Sequence, residues 1–277
     1  MRTYYVVGGA RAKLYIEETG NPKGKPLLFI HGFSQSRLSW NRQINSYLAR
    51  DFRLVVMDIR GHGNSEKPTY GYDDPKIWAD DIQAVIHTLD LYLPILVAWS
   101  YGGLIVCDYI RIYGDKLISG INLVSALTMW GTATASQYTG LEFKNITKGL
   151  ISDNAEESSQ ALQKFVQFCF FQPPTIYDYY FVLGYNSVVP PYVRRALSSR
   201  TVVNDDLLPH IYKPVLITHG IEDKLVLVAA ARHSAKLLPV NKLSLYPGVG
   251  HSPFWEQPDR FNEELKAFAH SIDLRAT

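Results

Sequence analysis

Six short apolar runs, spaced along the chain, limit its fold more than any other feature. They are LLFI (27–30), FRLVVMDI (52–59), PILVAW (94–99), ISGINLVSAL (118–127), KPVLITHG (213–220) and NKLSLYPG (241–248). The first five show no polar alternation, which is the signature of strands buried on both faces. Helical spacing fills the gaps between them. Leu38, Ile44 and Leu48 share one face of SRLSWNRQINSYL, and Ile77, Ile82, Val85, Ile86 and Leu89 share one face of IWADDIQAVIHTLDL. YGGLIVCDYIRIYG, AAARHSAKLL and DRFNEELKAFAHSI also read as helices. Strands alternating with helices predict an α/β fold, a mostly parallel sheet with helices on both faces. At the start, TYYVV and AKLYIEE flank Gly8-Gly9 and predict a β-hairpin, bringing the sheet to about eight strands.

Between 129 and 200 the rhythm changes. Helical stretches such as SSQALQKFVQFCFF follow one another with no buried strand between them. The expected organisation is a core built from 1–128 and 201–277, with 129–200 inserted as a helical unit. With 47% hydrophobic residues in 277, the chain can bury a large core.

Charge and composition exclude several roles. A net charge of +2 with no long basic run argues against nucleic acid as the partner. The YYVV run near the start is too short for a signal-peptide core, and no segment approaches the ~20 apolar residues of a membrane span, so a cytoplasmic, membrane-free protein is expected. Cys107 and Cys169 lie in apolar surroundings and read as core residues. No His, Cys and carboxylate set has metal-ligand spacing, and RGHGNS lacks the G-x-x-x-x-G-K-[ST] of a phosphate loop. Neither metal nor cofactor is expected. Oligomeric state is not legible.

In an open parallel sheet, ligands collect at the carboxyl ends of strands. Three residues suited to nucleophilic catalysis fall there: Ser100 after PILVAW, Asp223 after VLITHGIE, and His251 after KLSLYPGVG. A serine hydroxyl needs a base to take its proton as it attacks a carbonyl carbon. An imidazole serves near neutral pH, and a carboxylate on its far nitrogen fixes the tautomer and steadies the imidazolium. The tetrahedral oxyanion needs pre-placed donors. The backbone N–H of Tyr101, at the start of a helix, and that of Phe33, in the turn after LLFIHG, are suitably placed.

The chain resembles the α/β-hydrolase superfamily, in its branch of serine esterases and metal-free haloperoxidase-like enzymes. The resemblance rests on HGF (31–33), DIRGHGNS (58–65), AWSYGG (98–103), HGIEDKLV (219–226) and GVGHSPFWEQP (248–258), in family order over nearly the whole length. It implies a Ser100–Asp223–His251 triad, an oxyanion hole from Phe33 and Tyr101, and a cap formed by 129–200. Family spacing favours Asp223 over its neighbour Glu222, and VSALTMW after the fourth strand offers no alternative carboxylate. One departure is Ala98, where the elbow usually has glycine; a single added methyl is expected to fit. Serine at 100, rather than aspartate, argues against dehalogenase or epoxide hydrolase chemistry, and AWSYGG differs from the GGSWG-type elbow of proline iminopeptidases.

His31 and His62 read as loop braces, with Asp58 and Arg60 in a structural turn beside the site. His219 reads as a satisfied core histidine, and His87 and His233 as helix residues. Aromatics crowd the inserted segment, and Phe33, Trp130, Phe143 and Phe168 are expected to bind an apolar acyl or aryl group. The expected activity is cleavage of small apolar carboxylic esters through an acyl-enzyme on Ser100. Perhydrolase or haloperoxidase-like, lactonase and thioesterase activities use the same triad. In a different class stands a ligand receptor on a hydrolase scaffold.

Overall fold

A computed structural model describes residues 1–272. Strands β1 (Arg2–Val7) and β2 (Lys13–Gly20) form the expected antiparallel hairpin, and β3 (Pro26–Ile30) and β4 (Arg53–Met57) follow. Then come α1 (Pro75–Thr88), β5 (Ile95–Trp99), α2 (Gly102–Tyr113) and β6 (Gly120–Val124). The chain next leaves the sheet through β7 (Met129–Trp130), α3 (Leu141–Leu150), α4 (Ala155–Phe168), α5 (Ile176–Ser187), α6 (Pro191–Ser198) and β8 (Val202–Val203). It returns as β9 (Val215–Gly220), α7 (Val228–Leu237), β10 (Asn241–Tyr246) and α8 (Pro258–Ser271).

Eight strands make one sheet in the order β1-β2-β4-β3-β5-β6-β9-β10. Only the β1–β2 and β2–β4 pairs are antiparallel. Every residue of β3, β5, β6 and β9 is buried, so both faces of the sheet are covered, as their unbroken apolar runs require. After β3 the chain pairs to one side as β4, then crosses to the other side as β5. This reversal opens a crevice beyond the carboxyl ends of β3 and β5, where Phe33 and Ser100 emerge.

Local chemistry sets the helix starts. Asp74 caps α1 by accepting from Lys76 N, with Pro75 in the first turn, and Asn154 caps α4 by accepting from Glu156 N and Glu157 N. The structure departs from the sequence reading in two places. The single helix expected over 36–48 is broken into a 3-10 turn (Arg37–Trp40) and two one-turn helices (Asn41–Ile44, Leu48–Asp51). Ser46 Oγ bonds the Gln43 carbonyl and accepts from Leu48 N, and Asp58 accepts from Arg37 N, so side chains compete for the helical backbone groups. In addition, β7 and β8 pair antiparallel where the inserted helices leave and rejoin the sheet; two-residue strands carry no readable periodicity. No helix among the described residues is long and apolar enough to cross a membrane.

Candidate active site

Ser100 has a φ of +55°, a conformation that a residue with a Cβ adopts only when the surroundings impose it. The fixings are backbone bonds. Ser100 N donates to Val124 O at 2.9 Å, and Ser100 O accepts from Gly103 N and Leu127 N, each at 3.0 Å. Close approach explains the glycines. A Cβ on Gly32 would lie 2.8 Å from Ser100 Cβ, one on Gly102 2.8 Å from Ile30 O, and one on Gly103 2.5 Å from Leu127 O. Ala98 sits inside β5, paired with Ile30 and Leu123, and its methyl is fully accommodated. Ser34 and Ser125 also have positive φ at strand ends. Their hydroxyls are buried without partners, whereas Ser100 lines a cavity.

That cavity is narrow. His251 lines it beside Ser100, and the rest of the wall is almost entirely apolar: Phe33, Tyr101, Leu127, Trp130, Phe143, Phe165, Leu225 and Val226. His251 Nδ1 lies 2.7 Å from Asp223 Oδ2. Asp223 Oδ1 accepts from Leu225 N at 2.8 Å and Val226 N at 3.0 Å. Burial alone would raise the Asp223 carboxyl. The charge on His251 and hydrogen bonds from His219 and His251 outweigh it and hold the group well below the ordinary carboxylate range. Asp223 therefore stays ionised, and Nδ1 of His251 carries a proton, leaving Nε2 as the acceptor. Glu222 turns away to accept from Val249 N at 3.1 Å.

Two residues that the sequence reading passed over clamp the His251 loop. Trp99, the last residue of β5, donates its indole N–H to His251 O at 2.8 Å and lays its ring 5.4 Å from the imidazole. Glu256 accepts from Gly250 N and from Phe171 N, each at 2.8 Å, tying this loop to the segment after α4. Burial pushes Glu256 up to about 7, against the pull of those backbone donors. Both residues lie inside the motifs AWSYGG and GVGHSPFWEQP, which was the only signal available for them.

The N–H groups of Phe33 and Tyr101 find no acceptor among the described residues. Tyr101 is also the N-cap of α2, where the positive end of the helix meets the cavity. Two histidines hold the loop carrying Phe33. Ile59 N donates to His31 Nε2 at 3.1 Å, and Ser34 N donates to His62 Nε2 at 3.1 Å. Each ring returns Nδ1 to a carbonyl, of Gly32 and Arg60 respectively, at 2.9 Å. Both rings must then be neutral with the proton on Nδ1. Burial agrees, pushing His31 well below the ordinary imidazole value and His62 down to about 3.

Of the four residues expected to bind substrate, Phe33, Trp130 and Phe143 line the cavity. Phe33 and Phe143 meet edge-on at 5.8 Å, as do Trp130 and Phe143. Phe168 does not line the cavity. It sits in the last turn of α4, half-buried against the core, and Phe165, one turn earlier on the same helix, takes the place expected of it. His219 is only half the satisfied core histidine expected: its Nε2 bonds Val226 O and lies beside Asp223, but its Nδ1 has no partner among the described residues.

A sequence profile described as the Alpha/beta hydrolase family matches residues 27–264. An esterase from Rhodococcus sp. ECU1013 has the same fold, with a TM-score of 0.94 and 36% identity, covering 99% of this chain and 100% of its own. The bifunctional esterase/perhydrolase DCH of Acinetobacter calcoaceticus is 27% identical over 96% of this chain and 99% of its own. A non-heme chloroperoxidase of Streptomyces lividans is 28% identical over 93% of this chain and 96% of its own. These relatives support hydrolase chemistry on this scaffold. With the eight-stranded sheet and the profile match over most of its length, the chain belongs to the alpha/beta hydrolase family.

Proposed function

We propose that the protein is a carboxylesterase acting on small apolar esters, with Ser100 as nucleophile, His251 as base and Asp223 as orienting acid. One observation carries this: the strained serine, the Asp223-bound imidazole and two unmatched N–H groups all border a single apolar cavity.

Ser100 Oγ attacks the ester carbonyl carbon as His251 Nε2 takes its proton. The carbonyl oxygen becomes the oxyanion and receives the N–H groups of Phe33 and Tyr101. His251 returns the proton to the leaving alkoxide, giving the alcohol and an acyl-enzyme. A water molecule, deprotonated by His251, then releases the carboxylic acid and restores Ser100. No step calls for a metal or cofactor. Phe33, Trp130 and Phe143 hold the acyl or aryl group, and residues 129–200 serve as the cap over a core of 1–128 and 201–277.

The esterase/perhydrolase relative favours a second reading on the same acyl-enzyme. Hydrogen peroxide replaces water, and the products are a peracid and regenerated Ser100.

The test is hydrolysis of p-nitrophenyl esters from acetate to decanoate by the wild type and Ser100→Ala. Rapid turnover lost in the variant supports the esterase. Peracid formation from an ester and peroxide that exceeds hydrolysis favours the second reading. No turnover of any ester by the wild type rejects both.

A further inference from the structure

His219 is the penultimate residue of β9, a strand buried throughout, and shows no exposed surface. Its Nε2 lies 2.9 Å from Val226 O and 3.2 Å from Asp223 Oδ2. A carbonyl oxygen only accepts, so Nε2 carries the hydrogen and donates it to Val226 O, with the positive end of the N–H lying beside the carboxylate. Its Nδ1 is buried without a partner. An apolar side chain of similar size would have spared the fold that unmatched nitrogen. What imidazole supplies there, and an apolar group cannot, is an N–H that bonds Val226 O and lies against Asp223.

Asp223 thus has four N–H groups around it, three of them hydrogen-bonded to it. Two backbone N–H groups occupy Oδ1, and two imidazoles share Oδ2: His251 Nδ1 at 2.7 Å and His219 Nε2 at 3.2 Å. Both N–H groups at Oδ2 compete for the same negative charge.

We propose that His219 is a positioning residue for the acid–base pair: its Nε2–H draws charge from the carboxylate oxygen that holds His251, and so tunes how tightly His251 keeps a proton. The proposal rests on the reading of Asp223 and His251 as the acid and base of the site. By weakening the field that stabilises the imidazolium, His219 makes His251 a better donor to the leaving group. Removing the N–H leaves the charge on Asp223 Oδ2 less compensated where it faces His251, and so raises the basicity of His251.

Neighbouring groups leave this effect legible. The Cys169 thiol also lies near Asp223, and burial pushes it well above its ordinary value, so it is neutral. Glu222 and Glu256, on the flanking loops, are engaged by Val249 N and Gly250 N. On the elements packed against β9, Tyr246 of β10 bonds Glu264, and His233 of α7 bonds Asp205.

The experiment titrates His251 by NMR in the wild type, His219→Leu and His219→Gln, whose amide N–H can stand where Nε2 stood. In His219→Leu the His251 titration moves up by about half a unit or more, and the acid limb of kcat/KM moves with it. His219→Gln stays near the wild type. A folded His219→Leu that titrates like the wild type overturns the proposal, as does a His219→Gln shifted like His219→Leu. If His219→Leu does not fold, the imidazole ¹⁵N shifts of the wild type decide: a proton on Nδ1 of His219, with Nε2 bare, overturns it. The readout is a proton equilibrium, so it holds even if no ester is hydrolysed. Absent turnover with the predicted shift would sink the proposed function and leave this inference standing.

Discussion

The loops at the strand ends and the helices between β7 and β8 meet at one cavity, yet they are built to different tolerances. Around Ser100, Asp223 and His251, backbone groups are fixed by hydrogen bonds, and a single methyl on Gly32, Gly102 or Gly103 would collide with main chain or with Ser100. In the inserted helices, Gly184 has nothing within 4 Å of an added Cβ, and Tyr177, Tyr180 and Ile176 stand exposed. The contrast separates two tasks. On the proposed reading, catalytic geometry is set where the backbone has no freedom, and choice of substrate by the aromatic side chains of the inserted helices.

The largest break in this comparison is expected at the acid. Asp223→Asn puts an amide where a carboxylate accepts three hydrogen bonds, and it favours the wrong tautomer of His251. Loss of about 10⁴-fold in kcat is expected with the cavity unchanged, read by steady-state kinetics on a p-nitrophenyl ester.

Paired alanines sharpen the comparison. Gly103→Ala places a methyl 2.5 Å from Leu127 O and should cost about 1–3 kcal/mol in thermal or denaturant unfolding. Gly184→Ala, in the exposed face of α5, should gain about 0.5–1 kcal/mol. Equal effects at the two sites would erase the distinction drawn here.

Phe143→Ala removes the ring that touches both Phe33 and Trp130. It should move the preference toward longer acyl chains and raise KM for short ones several-fold, with kcat on the best substrate within about threefold. A large fall in kcat on every chain length would place Phe143 in the catalytic geometry instead.

The smallest effect lies in the pH dependence of stability, where two carboxylates bonded around the His251 loop have opposite signs. Asp223 is held below its ordinary 3.8, so its contribution is complete above that value and lost as pH falls through the folded one. Glu256 is raised from 4.5 to about 7, so the native state binds more protons than the unfolded one between these values. Its contribution is therefore present below about 4.5 and lost as pH rises toward 7. Denaturant midpoints from about pH 1.5 to 8 should show Asp223→Asn flattening the fall in stability below pH 3.8 and Glu256→Gln flattening the fall between 4.5 and 7.

How much of this was legible in the sequence follows the same division. The buried strands were, because both faces demand apolar residues and the runs show no alternation. The residues that do the proposed chemistry were, because parallel strands deliver their carboxyl ends to one edge. Trp99, Glu256 and His219 were not, since each acts through a backbone group or a carboxylate that only the fold brings near. Phe165 and Phe168 lie three apart on one helix, so periodicity cannot choose between them; the position of α4 over the cavity does. The break in 36–48 was hidden because Ser46 bonds the local backbone that the apolar spacing assigned to a helix.

The most direct test of the account is covalent. The protein is treated with a p-nitrophenyl alkylphosphonate, and peptides are mapped by mass spectrometry. One phosphonyl group on Ser100, with matching loss of activity and none on Ser34 or Ser125, is the predicted result. Labelling at another serine, or full activity with Ser100 unmodified, would contradict it.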